Sequence, residues 1–274
     1  MKLRRNRNVA RQQGFTLLEL MLVMLILSLI VGAVFSQVSD AQQRLSTEET
    51  RLGDFQEARD FVDQFFRDIN QAGTPNIRMF DPTQTFSPAL NSATSYTWAS
   101  PYVNDSRFAV GLVRIDTSTI AFEGSVNGTG TVQSVIYQVN GSGSCSVCLQ
   151  RSQVDKVTGS SLTTALGGSQ STNWGTEIND VTNNASGIPI FRYFGYDGTE
   201  ITTTSTPYSL PADISTTAGA QAIANVKTVQ INLTIRNPNI IDQKTGLPIE
   251  TSFEGEISLN NCSMASVGQP MSCQ

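Results

Sequence analysis

Residues 15–35 read FTLLELMLVMLILSLIVGAVF, and in these 21 positions only Thr16, Glu19 and Ser28 are polar. A bilayer core of about 30 Å takes about 20 apolar residues in helical form, so this stretch has the length and texture of a membrane-spanning helix. Five bases and no acid precede it: Lys2, Arg4, Arg5, Arg7 and Arg11. Positive charge on one flank keeps that flank cytoplasmic, which puts the bulk of the chain on the other side. The remaining 13 of the 18 bases face 23 acids, a net charge of −10. An acidic body disfavours nonspecific nucleic-acid binding, which needs a basic surface, so no nucleic-acid partner is expected. The chain has no histidine. That excludes His-based triads and His-ligated metals, which leaves a His-free enzyme possible but less expected.

Three readings compete for the apolar run. A secretory signal has a shorter apolar stretch and a small-residue cleavage site. Here Gly32-Ala33 runs on into Val34, Phe35 and Ser36 with no A-x-A pattern. An ordinary anchor accounts for the length and orientation. It leaves Glu19 unexplained, because a carboxylate among leucines is costly and usually marks function or a partner.

The string Gly14-Phe15-Thr16-Leu17-Leu18-Glu19 resembles the class III signal of type IV pilins and pseudopilins. The resemblance covers the basic leader, the Gly-Phe junction, the glutamate and the uninterrupted apolar helix. It implies cleavage by a prepilin peptidase between Gly14 and Phe15, and N-methylation of Phe15. Glu19 then becomes the fifth mature residue, where the family uses it to meet the terminal amine of a neighbouring subunit in assembly. Cleavage also removes all five leader bases.

Residues 36–72 carry Val38, Ala41, Leu45, Leu52, Phe55, Ala58, Val62, Phe65, Ile69 and Ala72 at gaps of three, four and one seven. That spacing predicts an amphipathic helix, with charged residues including Asp54, Asp60, Asp63, Arg67 and Asp68 between the apolar positions. No proline occurs from 15 to 74, and Gly73-Thr74-Pro75 is a stop signal. One helix from Phe15 to about Ala72 follows, its first part in lipid and its second packed on a sheet.

Alternating strand patterns fall at Arg107–Asp116, Thr119–Glu123, Val132–Val139, Leu149–Val154, Ile188–Tyr193, Lys227–Ile235 and Thr251–Leu259. Asn140-Gly141-Ser142-Gly143 and Tyr196-Asp197-Gly198 read as hairpin turns. Stretches 159–187 and 199–218 are rich in Ser, Thr, Asn and Gly and read as long loops. The expected fold is α+β, a long N-terminal helix on an antiparallel sheet. It resembles the pilin lollipop: leader 1–14, assembly helix 15–35, amphipathic helix 36–73 and a β-rich head 74–274.

Phe191-Arg192-Tyr193 followed by Asp197-Gly198, and Arg67-Asp68-Ile69 before Ala72-Gly73, resemble strings of PilW-type minor pilins and, second, J-type pseudopilins of type II secretion. The helix-kinking proline of many major pilins is missing. Removing 14 residues from 274 leaves 260, longer than a usual major pilin. The resemblance therefore implies a non-enzymatic minor pilin near the filament tip. Its implied partners are prepilin peptidase, other minor pilins, the major pilin and the inner-membrane assembly platform. The implied location is a single-pass inner-membrane protein with a periplasmic head, later extracellular in the pilus. A secretion pseudopilin, or an adhesin or DNA-uptake pilin, is the alternative.

Cys145, Cys148, Cys262 and Cys273 all follow the membrane segment, in a compartment where disulfides persist. Four cysteines permit three pairings. Resemblance to the C-terminal disulfide loop of many pilins favours Cys262 with Cys273, leaving Cys145 with Cys148 at a hairpin tip. No phosphate-binding, nucleophile-elbow or metal-helix motif occurs, and no cofactor or metal is expected.

Overall fold

The computed structural model describes residues 16–75, 106–109, 111–141, 147–156, 174–183, 187–213, 216–241 and 246–259. The chain divides into two compact units, Met1–Thr50 and Arg51–Gln274. Helix α1, Leu17–Asn70, is a single element of 54 residues. Its end is the one the stop signal predicts. The last amides turn inward to Asp68 and Ile69 carbonyls, and Gly73 takes a φ of 79°, a left-handed conformation that costs glycine little.

The first unit holds the apolar part of α1, and every described residue from Thr16 to Ser46 is exposed within the molecule. The second unit holds the rest of α1 with two antiparallel sheets. Strands β1 (Leu112–Ile115), β2 (Thr119–Gly124), β3 (Gln133–Asn140), β4 (Cys148–Asp155), β5 (Trp174–Ile178) and β8 (Ala212–Asp213) form a six-stranded sheet in the order β5-β4-β3-β2-β1-β8. Strands β6 (Phe191–Gly195), β7 (Glu200–Ile201), β9 (Val226–Ile241) and β10 (Pro248–Ser258) form a four-stranded sheet in the order β10-β9-β6-β7. The α+β expectation holds. Short helix α2, Thr217–Ala224, is capped by the Thr216 hydroxyl, which accepts from the Gly219 N–H at 3.1 Å.

The apolar stripe divides in two. Ala58, Val62, Phe65, Ile69 and Ala72 are buried, whereas Val38, Leu45, Leu52 and Phe55 are exposed. The one seven-residue gap in the stripe, Leu45 to Leu52, spans the boundary between the units. Phe65 is completely buried, with Tyr137 of β3 at 5.3 Å edge-on and Phe191 of β6 at 5.5 Å. One helical residue thus meets both sheets. Phe55 lies 5.7 Å from Phe253 of β10. A Cβ on Gly255 would come within 2.7 Å of the Phe66 ring, so a bare backbone lets β10 approach the helix. At the other end, a Cβ on Gly124 would sit 2.3 Å from the Gln71 carbonyl oxygen, where Ala72 bridges to β2.

The F-x-Y string has a plain geometric meaning. Alternation along β6 turns Phe191 and Tyr193 into the core and Arg192 outward. The Tyr193 hydroxyl donates to the Asp116 carbonyl at 2.9 Å, latching β6 to the β1–β2 turn. Asp197 and Gly198 make the β6–β7 turn, with Gly198 at φ 77° and the Asp197 carboxylate accepting from the Thr199 N–H.

Several expectations need correction. Strand β1 starts at Leu112, not Arg107, because residues 106–108 turn and Gly111 has φ 89°. Strand β6 starts at Phe191, not Ile188. The stretch 159–187, read as loop, contains β5 and a bridge from Val181 to Ile235. The stretch 199–218 contains β7, β8 and the start of α2. Their weak periodicity reflects short strands formed because longer neighbours offer them hydrogen bonds, a tertiary effect. Part of the Asn140–Gly143 turn lies outside the described residues; the β3–β4 pairing it would connect is antiparallel, ending at Asn140 opposite Cys148.

Candidate processing and assembly site

The N-terminal end of α1 carries the sequence's strongest signal. Thr16 precedes the first helical residue, where a side chain can cap free N–H groups. Its hydroxyl accepts from the Glu19 N–H at 3.3 Å, and the Glu19 carboxylate accepts from the Thr16 N–H and hydroxyl, each at 3.3 Å. This is a reciprocal capping box, spelled T-x-x-E in the sequence. It explains locally how a carboxylate is held among leucines. It lies wholly beyond the Gly14–Phe15 bond, so cleavage there would leave it intact and add one free amine. Gly14 and Phe15 themselves lie outside the described residues.

The helix is long and apolar enough to cross a membrane, and among the described residues none of its apolar window is buried. Leu17, Leu18 and Met21 are 79%, 74% and 66% exposed. Leaving such a side chain in water forgoes about 1.5–3 kcal/mol each. The segment therefore anchors in lipid or pairs with other apolar helices. The Ser28 hydroxyl satisfies itself on the Leu25 carbonyl at 2.8 Å, the usual arrangement of a serine inside an apolar helix.

The head has two buried ionic sites that sequence reading missed. Asp68, counted among the polar residues of the helix, is buried and pairs with Arg151 of β4 at 2.7 Å. Its carboxylate also accepts from the Tyr137 hydroxyl at 2.7 Å. Burial and then the nearby Asp68 charge push the Tyr137 hydroxyl's pKa well above its ordinary value, so it stays a donor. Lys156 pairs with Glu123 at 2.7 Å, both nearly inaccessible, and donates to the Phe108 carbonyl at 2.9 Å. The only hint of Asp68 in the sequence is its membership of the Arg67-Asp68-Ile69 string; nothing local marks Lys156.

An open groove follows the polar side of α1, lined by residues including Gln56, Glu57, Asp60, Gln64, Arg67 and Glu177. Burial, then Asp54 and Asp180, raises the pKa of Glu57. Among the described residues no group of three His, Cys, Asp or Glu is placed to hold a metal ion. Cys148 opens β4, is buried and is disulfide-bonded. Its partner lies outside the described residues, as do Cys145, Cys262 and Cys273.

Residues 9–35 match the family described as the prokaryotic N-terminal methylation motif. No curated protein and no solved structure matches the chain. The motif, with the apolar helix and the α+β head, supports a precursor of the type IV pilin and pseudopilin kind.

Proposed function

We propose that the chain is a minor pilin of a type IV pilus, processed by prepilin peptidase between Gly14 and Phe15 and methylated on Phe15. The observation that carries this reading is the methylation motif over residues 9–35 leading into a helix whose apolar window is left unburied among the described residues. The leader bases hold the precursor in the inner membrane with its head in the periplasm. After the cut, the Phe15 amine and the Glu19 carboxylate stand at the head of an apolar helix, where opposite charges attract far more strongly than in water. A neighbouring subunit presents the same pair, which sets axial register as helices bundle. The head needs no catalysis or cofactor for this role. It contacts other minor pilins, the major pilin and the assembly platform, and sits at or near the filament tip.

Mass spectrometry of the N-terminal peptide from membranes tests the processing step. N-methylated Phe15 is expected. An uncut chain, or a cut near Ala33, refutes it. Presence in sheared surface filaments, with loss of piliation on deletion, supports the pilus role. A secretion defect with normal piliation would assign the chain to a type II secretion pseudopilus instead.

The disulfides complete the proposal. Cys148 sits opposite Asn140 at the last pair of the β3–β4 ladder, so a bond to Cys145 would close that hairpin tip, leaving Cys262 to pair with Cys273. Non-reducing peptide mapping that joins Cys148 to Cys262 or Cys273 would overturn this assignment.

A further inference from the structure

Strand β10 is an edge of the four-stranded sheet, and its backbone geometry can be read residue by residue. The Leu259 N–H donates to the Lys227 carbonyl at 2.8 Å, one step beyond the Ser258–Thr228 pair. In an antiparallel ladder, directly bonded pairs alternate with pairs whose polar groups face away. From Ile249 to Ser258 the register is unbroken. The odd residues of β10 therefore bond to β9. Glu250, Ser252, Glu254, Glu256 and Ser258 aim their N–H and C=O groups at the free edge.

The far side of β9 confirms the phase. The Arg236, Thr234 and Asn232 N–H groups donate to Asp180, Asn183 and Ile190 respectively. These are the partners of Glu250, Ser252 and Glu254, and they point away from β10.

Sheets usually blunt their edges with short strands, bulges or covering segments. The other edges here follow that rule. Strands β7 and β8 have two residues each, and β5 has five with an irregular register against β4. Strand β10 is 11 residues long, and none of them is buried. Among the described residues nothing hydrogen-bonds to its outer side. Only charge guards it: the strand carries Glu250, Glu254 and Glu256 and no base. Glu250 is held by Arg236 of β9, while Glu254 and Glu256 are exposed.

We infer that the free edge of β10 is a docking site for an extended strand of a different protein, one with Lys or Arg at alternate positions. The backbone supplies the hydrogen bonds, and Glu254 and Glu256 select the charge. A second copy of this chain is a poor occupant. Antiparallel self-pairing brings even residues against even residues, and every register that overlaps nine or more of the strand's 11 residues sets at least one glutamate against another. This inference rests on strand geometry and is independent of the filament role.

The test uses the full processed chain in a neutral detergent and a labelled nonapeptide of alternating Lys and Val. Fluorescence anisotropy should show saturable binding, at least tenfold weaker for the Glu-Val counterpart and for a peptide of equal charge with prolines at alternate positions. Hydrogen exchange should slow at the amides of Ser252, Glu254 and Glu256. E254P removes an outward donor without touching the β9 ladder and should weaken binding at least tenfold with secondary structure retained. If E254P unfolds, the E254K/E256K double variant decides, and it should reverse the peptide preference. Absence of saturable binding overturns the proposal, as does binding indifferent to these variants. Concentration-dependent dimers abolished by E254P would make the edge homotypic and equally overturn it.

Discussion

The Tyr137 hydroxyl donates to the Asp68 carboxylate at 2.7 Å, and this bond, buried between α1 and β3, joins residues 69 positions apart. Arg151 completes the site from β4, with its Nε 2.9 Å from the same carboxylate oxygen and 3.0 Å from the tyrosine hydroxyl. A helix that must serve an apolar N-terminal segment is thereby pinned to its sheet by charge as well as by aromatic packing.

Removing one charge of the Asp68–Arg151 pair should cost more than replacing both. Asp68→Ala leaves a guanidinium with 14% side-chain exposure without its carboxylate, and unfolding in urea should show a loss of about 3–5 kcal/mol. Tyr137→Phe keeps the ion pair and should lose about 0.5–1.5 kcal/mol. Adding Arg151→Met to Asp68→Leu should recover much of the single-variant loss. A double variant as unstable as the two losses added would refute the pairing.

Phe65 touches Tyr137 and Phe191, one in each sheet. Phe65→Ala should open a cavity at their junction and cost about 3–5 kcal/mol. Phe55, exposed at 41%, should cost much less when truncated. Thermal melts of the two variants side by side would show the ranking.

Gly124→Ala tests the seam between the end of α1 and β2. The added methyl meets a backbone carbonyl rather than a movable side chain, so one of the two segments must shift. A destabilisation of about 1–3 kcal/mol is expected. Unchanged stability would mean that the Ala72–Gly124 bridge is dispensable.

Glu57 makes the head's stability pH-dependent in a defined direction. Its pKa is raised in the folded state by burial and by Asp54 and Asp180. The folded state therefore holds this proton more tightly than the unfolded chain. The group's contribution is most favourable below the ordinary glutamate range and is lost as pH rises through the raised value. Glu57→Gln should raise the urea midpoint at neutral pH, and the gain should vanish at low pH. An equal gain at both would mean that charge is irrelevant there.

Glutamate and glutamine both complete a capping box, but only glutamate carries charge. Glu19→Gln should therefore keep the bonds to Thr16 and still be cleaved and inserted. If the carboxylate meets a neighbour's amine, the variant should fail to cross-link to other pilins in membranes and surface piliation should fall, as in Glu19→Ala. Normal cross-linking in processed Glu19→Gln would reduce Glu19 to a local cap.

What the sequence by itself determined is what neighbouring residues encode. The apolar run, the Gly73 stop and the alternation along β9 are short-range patterns, and each located its element, though β9 runs on past the expected Ile235 to Ile241. Tertiary structure alone decided which of these faces are covered. The stripe of α1 looks alike at Leu52 and Phe65, yet Leu52 is exposed and Phe65 meets two sheets. Asp68 reads as one more solvent-facing acid until Tyr137 and Arg151, 69 and 83 positions away, arrive beside it. Strands β5, β7 and β8 lack any strand signature of their own, because their hydrogen bonds are offered by longer neighbours. The open edge of β10 is likewise invisible in its alternation, since periodicity reports which face a side chain takes and not whether another strand lies beside it.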